Sequence, residues 1–462
     1  MTELTELTLC RAAELLRAGA LSAVDYTEAH LDAIAQRDGR LNAFLTVLSE
    51  TARAEARKAD AQTGSGAERG PLHGITIAVK DIIDVAGTVT TCHSAVQVAP
   101  VAQQDAQVIR RLRAAGAIIL GKTALSEFAA GGPAFDLPWP PARNPWNTNH
   151  QPGGSSSGSA VAVAARMAPA ALGTDTAGSV RHPAACCGVV GLKPTYDAVS
   201  RHGVFPLAFS LDHVGVLARN VADTALLHDV LCGPNAGDAA RAGVPRDHQA
   251  ALAAPDLGGL RIGVLDEFGH DADAEIQEAF QGALRLAEQL GAELVPLRLP
   301  PLEAFAGCGR LLLQAEAYAV HKDWLATRAQ DYGKRARLRL LAGRSIDAAS
   351  YINAQRLRRE LTDAFRAAMA GIDAALCVSS HSQPACFDQE LGLDHSYERQ
   401  ARTPFNVTGS PALSIPMGMS SNGLPIGIQI VGHHHDEATI LRVGNALEQA
   451  SSRRDLRPPL ES

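Results

Sequence analysis

Long apolar runs are missing from this 462-residue chain; none approaches the roughly 18 residues that cross a bilayer, so no membrane contact is expected. The chain opens MTELTELTLCRAAELL, without the basic segment that begins a secretory leader, and a cytoplasmic protein is the expectation. Basic blocks are missing as well. The net charge is −7 with Lys and Arg spread along the chain, which argues against nucleic acid as a ligand. No CxxC pair occurs. The eight cysteines (Cys10, Cys92, Cys186, Cys187, Cys232, Cys308, Cys377, Cys386) are scattered and read as reduced, buried small hydrophobes, neither a disulfide frame nor a zinc site. What is abundant is core material: 46% of the residues are hydrophobic, and large α/β enzymes of this length can form one unit.

The stretch 153–194, GGSSSGSAVAVAARMAPAALGTDTAGSVRHPAACCGVVGLKP, carries the chemistry. Residues 153–159 hold only Gly and Ser, and the Ala-rich 160–167 favours a helix, so a loop is predicted to feed a helix N-terminus with serine hydroxyls able to cap it. A second small-residue loop, 173–179, follows a short apolar piece. In it the N–H groups of Thr176, Ala177, Gly178 and Ser179 can converge on one developing negative charge, with Gly178 allowing close backbone approach. Two flexible linkers are the alternative, set aside because both runs are flanked by apolar segments. Residues 154–158 also fit G-x-S-x-G, the nucleophile elbow, with Ser156 as nucleophile. That motif needs a preceding strand, and NTNHQP at 147–152 is not one.

Upstream, helices are predicted at 9–18 and 22–38, capped by Thr8 and Ser22, and at 52–61. A polar turn at 62–70 then closes an N-terminal helical layer, residues 1–70, packed on a core of residues 71–462. ITIAV at 75–79 is a short buried strand that delivers Lys80 over the core; the alternative is a stem that snorkels to water. Residues 116–123 match G-x-x-x-x-G-K-[ST], but the intervening AIIL is itself strand-like, so the match to a phosphate loop is rejected. FDLPWPPARNPW at 135–146 is irregular, and forms either a pocket wall or a rigid surface crossing. SSHSQPA at 379–385 leaves His381 either facing the pocket or capping a loop, and the HHH tract at 433–435 reads as solvated.

The blocks GPLHGITIAVKD (70–81), GKTALSEF (121–128), RNPW (143–146), the 153–194 stretch, SLDHVG (210–215) and GLPIGIQIVG (423–432), in that order, resemble those of the amidase signature family. The resemblance implies an α/β fold, a large mixed twisted sheet flanked by helices on both faces. It implies hydrolysis of small linear carboxylic amides with neither metal nor cofactor, by the chain alone or as a homodimer. Carried over by position, Ser179 is the nucleophile that forms an acyl-enzyme, Ser155 the bridging serine and Lys80 the base; the family's cis peptide falls at Gly154–Ser155. A lysine can take a proton near neutral pH only if burial depresses its pKa. The chain departs from the family pattern at Ala177, where Gly is usual in DTGGS, and at Ser157, Cys186 and Asp197. A Cβ at 177 is expected to resist positive φ and to narrow the oxyanion site, whereas Ser157 is harmless if it caps the helix. Phe128, Phe135, Trp139, Cys186, Arg358 and His381 are the candidate pocket residues. Two other readings stand beside the amidase. One is the glutaminase subunit of a tRNA-dependent amidotransferase, with Arg358 clamping the glutamine carboxylate; the other is a non-catalytic scaffold derived from an amidase.

Overall fold

Eleven strands form one mixed sheet in the computed structural model, which describes residues 2–65, 69–96, 101–233, 247–254, 256–389, 399–452 and 456–460. In chain order they are β1 (Phe44–Val47), β2 (Thr76–Lys80), β3 (Ile118–Thr123), β4 (Ala170–Asp175), β5 (Val190–Lys193) and β6 (His213–Ala218), then β7 (Arg261–Val264), β8 (Glu293–Pro296), β9 (Ala374–Val378), β10 (Ala412–Met419) and β11 (Pro425–Gly432). Their order across the sheet is β1-β3-β2-β4-β6-β5-β10-β11-β9-β7-β8, with β2 parallel to both β3 and β4, β7 parallel to both β8 and β9, and the other pairs antiparallel. Helices flank the sheet on both faces, the α/β class the sequence implied.

The middle of the sheet is dry. Every residue of β2, β3, β4 and β6 is buried, as expected of strands covered on both faces, and their apolar side chains join one continuous core. The AIIL run enters β3, which accounts for the false phosphate-loop match: its N–H groups belong to a sheet.

The N-terminal helices obey their caps. Thr8 Oγ1 accepts from Arg11 N at 3.2 Å and Ser22 Oγ from Asp25 N at 3.2 Å, starting helices Leu9–Ala18 and Ala23–Leu41. The N–H groups of Leu9 and Cys10 both donate to the Asp223 carboxylate, which docks helix Leu9–Ala18 on helix Val221–Leu231. The helix predicted at 52–61 runs Ser49–Ser65, longer than expected, with Ala52, Ala56 and Ala59 as its buried stripe. Segment 1–70 also contributes β1, which pairs with β3 at the sheet edge. Further on, helices Leu302–Thr327, Lys334–Ala342 and Ala348–Ala368 stand together and bring residues 335 and 339 towards the ends of the central strands.

Candidate active site

Lys80 ends β2 fully buried, and three hydroxyls surround its Nζ: Thr174 Oγ1 at 2.7 Å, Ser155 Oγ at 2.8 Å and Ser156 Oγ at 3.0 Å. Burial lowers its pKa to about 7, against the opposing pull of Asp175 and Asp212. Two other lysines are as deeply buried but differently engaged. Lys122 is ion-paired to Asp81 at 2.7 Å, while Lys193 donates to the carbonyls of Pro194 and Ser410. Of the three, Lys80 faces serines.

The protons around Lys80 have a direction. Ser156 has one hydroxyl hydrogen, donated to the Thr174 carbonyl at 3.1 Å, so towards Lys80 it acts as acceptor. Ser155 carries no such commitment, which leaves its proton free to pass to a neutral Lys80 amine. The approach of Ser156 depends on Gly173, where a Cβ would stand 2.7 Å from Ser156 Oγ. Helix Ser157–Ala164 begins three residues earlier than predicted and without a side-chain cap. Ser157 is its first residue, and its hydroxyl points to the Ala124 carbonyl at 3.5 Å, so it does not cap.

Backbone bonds stitch the two small-residue loops together. Ser156 N donates to Ser179 O at 3.1 Å and Ser126 N to Ser155 O at 3.1 Å, with the Gly154–Ser155 peptide cis. Ser155 and Ser179 line the same cavity. No hydrogen bond joins their hydroxyls, and that of Ser179 makes none among the described residues, so the wire is closed from Lys80 to Ser155 and open from there to Ser179. Such contacts commonly tighten only when substrate is bound.

The 176–179 loop hangs on Asp175. Its carboxylate accepts from Gly178 N (2.8 Å) and Val180 N (3.1 Å) and pairs with Arg181 in a two-point contact of 3.0 and 3.1 Å. Asn406 adds a further bond at 2.8 Å. Burial by itself would raise the Asp175 carboxyl, but the Arg181 guanidinium, with help from Lys193 and Asn406, holds it well below the usual carboxylate range. This corrects the expected oxyanion set: the Gly178 N–H is spent on Asp175. Thr176 lines a separate pocket, its hydroxyl donating to Asp212 at 2.6 Å. The N–H groups of Ala177 and Ser179 have no partner among the described residues. Ala177 is not at positive φ, so the expected strain is absent there, although its methyl group does line the cavity. Positive φ falls instead on the next residue, Gly178, at +114°, and Asp197, at a position where the family usually has Gly, also has positive φ, 64°. A Cβ at 178 would also lie 2.5 Å from Arg402 Nε. Gly178→Ala is therefore expected to cost at least about 1–3 kcal/mol, read as a lower urea midpoint.

The pocket candidates divide. Cys186 lines the cavity, 4% exposed, and burial pushes its thiol up to about 12. Phe128 lies behind the cavity, its ring packed on His321 at 4.5 Å and on Phe205 and Tyr332. Phe135 is 60% exposed against Phe387, whereas Trp139 is half-buried and meets His93 edge-on, and neither lines the cavity. Arg358 does not reach the cavity, because its guanidinium is held by the carbonyls of Val407 and Ser210, and it cannot serve as the clamp. His381 turns away to donate to the Phe268 carbonyl at 2.7 Å, leaving its neighbours Ser380 and Ser382 on the wall. His433 and His434 are half-buried and donate to the carbonyls of Ile372 and Thr408, which corrects their reading as solvated. Among the described residues, one group, His228, His248 and Glu437, has ligand atoms within 4.8 Å of one another; it does not line the cavity.

Sequence reasoning missed a set of cavity residues: Ser126, Gln383, Arg335, Arg339, Arg399 and Arg402. Ser126 and Gln383 lie in stretches already singled out, GKTALSEF and SSHSQPA, but the four arginines belong to no motif and only the fold brings them there.

A family model described as Amidase matches residues 25–441. The chain belongs to the amidase family. Its relatives include the A component of the glutamyl-tRNA(Gln) amidotransferase from Thermosynechococcus vestitus, 38% identical over 466 residues, covering 95% of this chain and 97% of that one. Among solved structures it is similar to the native peptide amidase from Stenotrophomonas maltophilia, with a TM-score of 0.87 at 32% identity over 98% of each chain. It is also similar to the 6-aminohexanoate cyclic dimer hydrolase complexed with substrate, with a TM-score of 0.88 at 29% identity over 99% of each chain. An amidase-family hydrolase on this sheet is thus established, and no described helix is long and apolar enough to cross a membrane.

Proposed function

We propose that the chain hydrolyses a carboxylic amide through an acyl-enzyme on Ser179, with Ser155 and Lys80 moving the proton. The observation that carries this reading is the buried Lys80, whose amine is held at 2.8 Å from a serine with an uncommitted proton. In the neutral form the amine has two hydrogens for Thr174 and Ser156 and a lone pair for Ser155. It takes the Ser155 proton while Ser155 takes that of Ser179, and Ser179 Oγ attacks the amide carbon. The resulting oxyanion is met by the N–H groups of Ala177 and Ser179. As the C–N bond breaks, Ser155 returns a proton to the departing nitrogen, and water then cleaves the ester by the reverse path.

A glutaminase component of an amidotransferase is the second reading, favoured by the identity to the amidotransferase chains. It predicts glutamine hydrolysis that appears only with partner proteins. A stand-alone amidase releases ammonia or amine by itself, and a panel of aliphatic, aryl and urea-type amides separates the two. A scaffold without chemistry predicts neither. Treating the folded protein with a fluorophosphonate is expected to place one adduct on Ser179, absent in Ser179→Ala; an unlabelled wild-type protein removes the enzymatic reading.

A further inference from the structure

The cavity around Ser155 and Ser179 is one-sided in charge. Arg335, Arg339, Arg399 and Arg402 line it, and no Asp or Glu does among the described residues. Arg399 is neutralised by Asp273 at 2.8 Å. Arg402 is not: it is 2% exposed, forms no ion pair among the described residues, and spends one nitrogen on the Ser379 carbonyl (2.7 Å) and Ser380 hydroxyl (2.6 Å). Its Nε is buried with no hydrogen-bond partner. Burial, and after it the neighbouring Arg181, lowers its pKa to about 9 against the weaker opposing pull of Cys186 and Asp175. Its side chain lies along Gly178, the residue before the nucleophile. Arg335 likewise has a carbonyl partner, Gly131 O at 3.0 Å, and no ion pair among the described residues. In the same cavity the Gln383 side-chain amide has both its oxygen and its nitrogen buried without a partner.

A buried guanidinium with no carboxylate beside it is costly unless an anion arrives with the ligand. We propose that the substrate is a short amide whose acyl part carries a carboxylate and no ammonium group, the monoamide of a small dicarboxylic acid, with Arg402 holding the carboxylate and Arg335 adding to the positive field. Gln383 supplies a donor and an acceptor for the remaining polar atoms. An α-amino acid amide fits less well, because its ammonium would enter a wall of guanidinium groups with no described carboxylate to receive it. This inference rests on the amidase reading of Ser179, and it places the carboxylate clamp on Arg402, far in sequence from Arg358.

The test compares succinamate, butyramide and glutamine as substrates of the full chain, with fluorophosphonate labelling run in parallel. Succinamate is expected to exceed butyramide in kcat/KM by about 30-fold or more, the factor that a buried charged partner supplies, and to exceed glutamine. Arg402→Met is expected to erase that preference by raising KM for succinamate. Where that variant fails to fold, the wild-type protein decides: succinate should protect Ser179 from labelling at concentrations where butyrate does not. Butyramide or glutamine hydrolysed as well as succinamate overturns the inference and leaves the amidase standing. A labelled Ser179 without any hydrolysis is settled by succinate protection, present for the inference and absent against it. An unlabelled Ser179 removes the amidase reading and the inference with it.

Discussion

Replacing Lys80 by methionine should lower kcat/KM by about 10²–10⁴-fold, the usual contribution of a positioned general base, and at the same time make the fold more stable near neutral pH. The two effects have one origin. Burial lowers the Lys80 pKa from 10.5 to about 7, so between those values the unfolded chain binds a proton that the folded chain does not. Stability from this group therefore rises with pH across that window, by about 1.4 kcal/mol per pH unit. The methionine variant lacks this slope, and the difference in urea midpoint between the two proteins should shrink as pH increases from 7 towards 10. The wild-type rate should climb through about pH 7 and then level, following the neutral amine. A variant that keeps the full rate, or a wild-type rate that falls as pH increases through 7, rules out Lys80 as the base.

Asp175→Asn is the second large effect. The substitution keeps the shape but leaves Arg181, which is 0% exposed, without its counter-charge, and breaking such a pair costs about 3–5 kcal/mol. The damage should spread to activity, since the same carboxylate fixes Gly178 N and Val180 N on either side of Ser179. A double-mutant cycle checks the cause. Asp175→Asn combined with Arg181→Met should lose less stability than the sum of the single changes, because no orphan charge then remains. Strict additivity would show that the pair is not coupled.

How much of this was legible beforehand depends on how local the signal is. Lys80 was readable because a short apolar strand that ends in Lys puts the amine over the core. The same strand logic disposed of the phosphate-loop match at 116–123. The two Gly/Ser loops were readable from composition, and the family pattern placed Ser155 and Ser179 on them. The allocation of N–H groups was not: that Gly178 gives its hydrogen to Asp175 depends on a turn geometry that no spacing reveals. Arg358 and His381 failed as pocket residues because the direction of a side chain is set by the carbonyls it meets, Ser210 and Val407 for one, Phe268 for the other. Arg402 stayed hidden for the opposite reason. It belongs to no motif, and its significance lies in the absence of an ion-pair partner among the described residues after folding.

Thr174 and Asp175 are consecutive in β4, and the pleat sends one side chain to the Lys80 amine and the next to Arg181. The surroundings of Lys80 and the Asp175–Arg181 pair thus rest on two neighbouring positions, so a shift of β4 would disturb both. Arg335, Ser382 and Gln383 line the cavity from other segments and hydrogen-bond to neither Lys80 nor Asp175. Substitutions at those three positions can change what the cavity accepts while both of these contacts stay in place.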